Sequence, residues 1–187
     1  MTPITRQDIL AHQAIVPWGA QHQVEQDLLL CRAMVALFND KFLNSQVAML
    51  LHKVHLAPPA RYSEDIDLVV VGTRPAEHIR RAIRRVLTDV LGTPKASVWD
   101  TLVLAIRNTV KPSRVLRMTY STRSIIEPNR TLEIVVEANV TERKPHRAIV
   151  EMPFSFPFRD KAVQTHIKSF DIHEMLGTKM RSMFQPS

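Results

Sequence analysis

The sequence has one cysteine, Cys31, and only four glycines in 187 residues. A single thiol cannot close an internal disulfide, and Cys31 lies in an apolar run where a buried, inert thiol is expected. Apolar runs are only a few residues long and none follows a basic N-terminus, so neither a transmembrane helix nor a signal peptide is expected. The chain reads as a soluble, cytoplasmic protein with no membrane partner. The glycines, Gly19, Gly72, Gly92 and Gly177, are too sparse for a Walker or dinucleotide-type phosphate loop. No Gly-x-Ser-x-Gly elbow surrounds Ser63, which removes a Ser-His-Asp hydrolase. His52 and His55 find no second cysteine or close carboxylate to complete a zinc set with Cys31, and read as ordinary or phosphate-facing histidines.

What is present is ordinary globular composition, 45% hydrophobic and 23% charged, enough for one domain over residues 1–187 with a full core. The net charge of +7 and pI near 10.0 favour a polyanionic partner, RNA before an acidic small molecule. Solubility alone would also account for such a charge.

Val24, Leu28, Cys31, Val35 and Phe38 recur at three- and four-residue steps, predicting an amphipathic helix over Gln21 to Phe38 that stops at Asn39-Asp40. Ser45 to Leu56 has a period ambiguous between buried helix and strand, with helix favoured for its second half. N-terminal helices are expected over about 6–56, a sheet core over about 61–170 and a last helix over about 173–184. A strand at Ile66 to Val71 is followed by a Gly72-Thr73 turn. Pro75 then opens a helix whose apolar face is Ile79, Ile83, Val86, Leu87 and Val90 and which Gly92 closes. Its outer face carries Arg80, Arg81, Arg84 and Arg85, a basic stripe that fits either a solvated face or an RNA phosphate backbone. Strand-like segments at Val115 to Tyr120, Leu132 to Val140 and Ile149 to Phe156 predict sequential antiparallel pairing. Asp171 with Glu174 three residues later reads as a capping box before the last helix.

The chemistry points to Ser63-Glu64-Asp65-Ile66-Asp67. Residues i and i+2 of a strand share a face, so Asp65 and Asp67 converge at the mouth of the strand while Ile66 and Leu68 enter the core. Mg²⁺ prefers hard oxygen ligands, typically one or two carboxylates plus substrate phosphates, so this spacing suits an enzyme acting on a nucleoside triphosphate. A solvated acidic strand end is the plainer alternative. Glu133, Glu137 and Asn139 alternate along one face of a later strand, from which Glu137 can supply a third carboxylate.

The blocks Glu25-Gln26-Asp27-Leu28, Leu37-Phe38-Asn39-Asp40, Leu51-His52-Lys53-Val54-His55-Leu56, Arg61-Tyr62-Ser63-Glu64-Asp65-Ile66-Asp67-Leu68 and Glu174-Met175-Leu176-Gly177-Thr178-Lys179 together resemble the AbiEii/AbiGii nucleotidyltransferase toxin family, which includes the MenT-like toxins of type IV toxin-antitoxin systems. The resemblance implies an α+β fold of the DNA polymerase β-type nucleotidyltransferases, a mixed sheet flanked by helices. It also implies a transfer of nucleotides from NTPs, with Mg²⁺ (or Mn²⁺), onto an RNA such as tRNA or a protein acceptor, and a cognate antitoxin partner. Asp65 and Asp67 would hold the metal. Ser63, Lys53 and Lys179 would contact the nucleotide, Lys179 neutralising the triphosphate, although a surface lysine near a helix end is its plainer reading. Charge stabilisation and positioning by such a set are what nucleotidyl transfer requires.

The sequence departs from the family pattern twice. The Gly-Gly-Thr or Gly-Gly-Ser that grips the triphosphate is missing, because Met49 runs directly into Leu50-Leu51 and no glycine lies between Gly19 and Gly72. The Arg-Asp-Leu-x-Asp-Leu segment with its further Asp is not reached, so the C-terminal helical part is expected to be truncated. Two functions therefore stand: a metal-dependent nucleotidyltransferase with weakened triphosphate binding, or a non-catalytic member that binds RNA or its antitoxin.

Overall fold

The computed structural model describes residues 3–50, 52–56, 62–91, 99–105, 113–140 and 145–184. Five α-helices are found among them: α1 (Arg6–Gln13), α2 (Gln21–Asn39), α3 (Lys41–Gln46), α4 (Ala76–Leu91) and α5 (Ile172–Phe184). The seven strands are β1 (Val47–Met49), β2 (Asp65–Val70), β3 (Trp99–Ala105), β4 (Ser113–Arg123), β5 (Thr131–Asn139), β6 (Val150–Phe158) and β7 (Lys161–Ser169). They form one mixed sheet in the order β3-β4-β5-β2-β1-β7-β6.

Three helix starts, those of α1, α3 and α4, have a local cause. Thr5 caps α1 in a full capping box, its hydroxyl accepting from the Asp8 N–H while Asp8 accepts from the Thr5 N–H. Asp40 ends α2 and caps α3 by accepting the Leu43 N–H at 2.9 Å. At α4, Pro75 supplies the first-turn carbonyl to His78. Ile79, Ala82, Ile83, Val86, Leu87 and Val90 form its buried face. The Gly92 stop lies outside the described residues.

The central helix α2 is buried on nearly all sides, which the single predicted stripe did not show. Val24, Leu28, Cys31 and Val35 pack toward Ile9 and Phe156, while Leu29, Leu30, Ala33, Met34, Leu37 and Phe38 pack toward the sheet and α4. Its polar residues are matched inside: Gln26 Nε2 donates to the Glu133 carbonyl at 2.7 Å and Arg32 Nη2 to the Val90 carbonyl at 3.3 Å.

Strand parity defines the two faces. Ile66, Leu68 and Val70 of β2, with Leu116, Met118, Tyr120, Ile134, Val136 and Ala138, meet α2 and α4 in the main core. Asp65, Asp67 and Val69 therefore point to the other face, where Val69 joins Ala48 and Phe170 in a small cluster. Among the described residues α1, α2, α3 and α4 pack on strands, and α5 makes no comparable contact with the sheet.

Several expectations are corrected. Residues 6–56 are not wholly helical, because β1 lies within them and the second half of the ambiguous segment is a 3-10 turn, His52–Val54. β4 extends past both predicted ends, β2, β5 and β6 are displaced by a residue or two from those predicted, and β3 and β7 were not anticipated. Pairing of β4 with β5 is antiparallel as expected, but β6 does not follow β5: it sits at the opposite edge against β7. The β6–β7 turn lacks a glycine or asparagine signal, since Arg159 itself adopts φ 57°. The two oxygens of Glu174 accept the N–H groups of His146 and Arg147 at 2.7 and 2.9 Å, tying α5 to the segment before β6.

Candidate active site

The predicted dyad opens β2, whose neighbours place a third acid beside it. β2 pairs in parallel with β5, setting Asp67 opposite Glu137 and Asp65 opposite Val135. β5 pairs antiparallel with β4, setting Glu137 opposite Arg117. Partners directly opposite in register share a face, so Arg117, Glu137 and Asp67 form one row across three strands. Asp65 lies one step along on the same face. All three carboxylates are half-buried.

The electrostatics agree with this placement. Burial is the main force pushing the Glu137 carboxyl above its ordinary range, Asp67 and Asp65 add to the push, and Arg117 opposes it. Arg117 Nε stands 3.5 Å from Glu137 Oε1. A face carrying three mutually repelling carboxylates fits a divalent cation, whose charge would relieve that repulsion and whose oxygen preference they meet. Among the described residues, however, the one trio with ligand atoms all within 4.8 Å is elsewhere, at His12, Asp27 and Cys31. The ligand oxygens of Asp65, Asp67 and Glu137 do not all come that close.

The trio at His12 already has its cation. Lys53 Nζ bonds Asp27 Oδ1 and lies 3.1 Å from Cys31 Sγ, while His12 Nε2 meets Asp27 Oδ2 at 2.8 Å. The charge of Asp27, 1% exposed, is balanced from within the chain. Lys53, expected to touch the nucleotide, thus spends its ammonium fastening the 52–56 segment to α2. His55 does the same on the other side. Its Nε2 meets Ser169 Oγ at 2.8 Å, and that hydroxyl donates to the Met49 carbonyl at 2.9 Å. Burial pushes the Cys31 thiol up to about 12.

Ser63 precedes the dyad by two residues and is buried, its Oγ without a hydrogen-bond partner among the described residues. Tyr62 Oη and Trp18 Nε1 are in the same condition, the two rings meeting edge-on with centroids 5.5 Å apart. Burial raises the Tyr62 hydroxyl's pKa, with Glu64 and Asp27 adding to the effect. Lys179 lies in α5, and its side chain is outside the described residues, as is Arg61.

The arginine stripe of α4 is on the helical layer, separated by the sheet from the carboxylates. Arg80 and Arg81 are paired with Glu77, and Arg85 with Asp40. Sequence reading missed Arg117, whose Nε faces Glu137 Oε1. It also missed that Glu25, 1% exposed, is structural: it accepts from Ser124 Oγ at 2.5 Å and from the Ile125 N–H at 2.7 Å. Both contacts join residues some 20 or 100 positions apart, for which no local pattern exists.

No curated protein matches the sequence. Among solved structures, JHP933 from Helicobacter pylori shares 11% identity at a TM-score of 0.49, covering 88% of this chain and 59% of its own. A candidate nucleotidyltransferase from H. pylori shares 10% at 0.48, covering 86% and 59%. The chain thus spans about three-fifths of the length of these neighbours. No helix among the described residues is long and apolar enough to cross a membrane. The family described as nucleotidyl transferase AbiEii toxin, type IV toxin-antitoxin system, matches residues 48–187, which include the acidic dyad, Glu137 and α5. With that match over three quarters of its length, the chain belongs to the AbiEii nucleotidyltransferase toxin family.

Proposed function

We propose that this protein transfers a nucleotide from an NTP to an RNA acceptor, tRNA being the expected class, in a metal-dependent reaction. The observation that carries the reading is the row Asp67–Glu137 with Asp65 beside it, on the sheet face opposite the main helical core. Asp65 and Asp67 would hold Mg²⁺ or Mn²⁺, with Glu137 as the third carboxylate. The cation would supply Lewis-acid stabilisation of the charge that develops on the α-phosphate. In the transfer, an acceptor hydroxyl gives up its proton to water and its oxygen bonds to the α-phosphorus as the bond to the β-phosphate oxygen breaks, and pyrophosphate leaves. Ser63, whose hydroxyl lacks a partner among the described residues, donates to a nucleotide phosphate, and Lys179 neutralises the triphosphate. Lys53 positions the 52–56 segment rather than the nucleotide. The α4 arginines contribute long-range attraction for RNA. A cognate antitoxin and a cytoplasmic setting complete the proposal.

The test is calorimetric titration of the four NTPs with Mg²⁺, followed by transfer of labelled nucleotide to RNA. Metal-dependent binding and transfer are expected in the wild type and are lost in Asp65→Ala and Asp67→Ala, both of which remain folded. Unchanged transfer in both variants would end the reading.

The absent glycine loop favours a second reading, a non-catalytic RNA- or antitoxin-binding member. It predicts no NTP binding at all, together with RNA affinity that falls steeply with salt and on neutralising Arg80, Arg81, Arg84 and Arg85 together.

A further inference from the structure

The nucleotide side and the acceptor side of the carboxylates are distinguishable in the fold. Ser63 and the chain around Met49, where the family places its triphosphate loop, lie toward β1 and the start of β2. On the other flank of Asp67 come Glu137 on β5 and then Arg117 on β4. Neighbouring strands are about 4.8 Å apart, so Arg117 stands roughly 10 Å from Asp67 across the sheet, on the flank left for the acceptor. Its side chain is 52% exposed, and its nearest anion, Glu137, is 34% exposed. At 3.5 Å that contact is long for a charge-assisted bond and has one nitrogen on one oxygen, not the two-pronged fit of a committed arginine–carboxylate pair. By contrast, Arg80 engages Glu77 through two nitrogens, each at 2.7 Å.

We infer that Arg117 is a positioning residue that holds Glu137 while the carboxylate face lacks its cation, and on metal binding releases it to grip a phosphate of the acceptor RNA strand. The inference rests on the proposed metal-dependent reading of this site. Its physical basis is substitution of one cation for another. A divalent ion that takes over Glu137 displaces the guanidinium, whose planar fork matches a phosphate. The acceptor would thus meet a fully exposed Arg117 only after the metal is in place, giving an ordered site without a moving domain. α4 does not share this role, because its stripe is on the opposite side of the sheet.

The experiment measures two affinities of the full chain, that for Mn²⁺ by the loss of the free-ion electron paramagnetic resonance signal, and that for a fluorescein-labelled single-stranded RNA dodecamer by anisotropy. Arg117→Ala removes the competing cation, so Mn²⁺ is expected to bind about two- to fivefold tighter, the range of a partly exposed ion pair. RNA affinity measured with saturating Mn²⁺ is expected to fall about tenfold, as for loss of one charged hydrogen-bonding contact, and Arg117→Lys restores part of it. Opposite signs for the two ligands are not what a merely structural arginine would give. If Mn²⁺ binds the wild type and is lost in Asp65→Ala, but Arg117→Ala leaves both affinities unchanged or weakens both, the Arg117 inference alone falls. If Mn²⁺ does not bind the wild type, it falls together with the reading on which it rests.

Discussion

Replacing Lys53 by methionine keeps most of the side-chain volume and deletes the charge. Asp27 would then be left with His12 and the Cys31 thiol inside the protein. The consequence is calculable from the burial: Asp27 is 1% exposed and the Lys53 side chain 9%, so water does not reach the orphaned carboxylate. Removing one partner of a buried pair typically costs about 3–5 kcal/mol, a large share of the roughly 5–15 kcal/mol that holds a domain together. With a urea slope near 2 kcal/mol/M, the midpoint should fall by about 2 M at unchanged slope. The double variant Asp27→Leu/Lys53→Met removes both charges and should recover most of that loss. The pH dependence has two limbs. Burial resists the Asp27 charge, but the His12 hydrogen bond and Lys53 outweigh it and lower the pKa, so this stabilisation is present above 3.8 and is lost as pH falls through the lower folded value. Burial also resists the Lys53 charge, but Cys31 and Asp27 outweigh it and raise the pKa, so its share is present below 10.5 and is lost as pH rises through the higher folded value. A single variant costing less than about 1 kcal/mol, or a double variant as unstable as the sum of its parts, would refute the latch.

Glu25→Gln leaves a weaker acceptor for the Ser124 hydroxyl and the Ile125 N–H. About 1–3 kcal/mol should be lost, read as faster amide exchange at Ile125 and Ile126, whose N–H groups bond Glu25, than within β4. Asp8 is held at a pKa of about 2, chiefly by its bond to Arg159 with help from the Thr5 cap. Its contribution is present above 3.8 and drains away as pH falls toward 2, so Asp8→Asn should flatten the acid limb of the stability profile; an unchanged limb would show that Asp8 does not supply it.

The sequence by itself determined the elements whose evidence is local. The three- and four-residue recurrence from Val24 to Phe38 marks α2, Asp40 marks the α2–α3 break, and Pro75 with its apolar face marks α4. The alternation of Asp65 and Asp67 with Ile66 and Leu68 is enough to put two carboxylates on one face, because strand periodicity is a property of the backbone. Tertiary structure alone decided which residues stand beside them. The parallel pairing of β2 with β5 and the antiparallel pairing of β5 with β4 join segments some 20 to 70 residues apart, and they align Asp67, Glu137 and Arg117 in one row. The same holds for Lys53: its place in a family block pointed to the nucleotide, yet a buried carboxylate on α2, 26 residues earlier, claims its charge. No local pattern announces which distant group will balance a buried charge, since that depends on the helix packing that removes water from both.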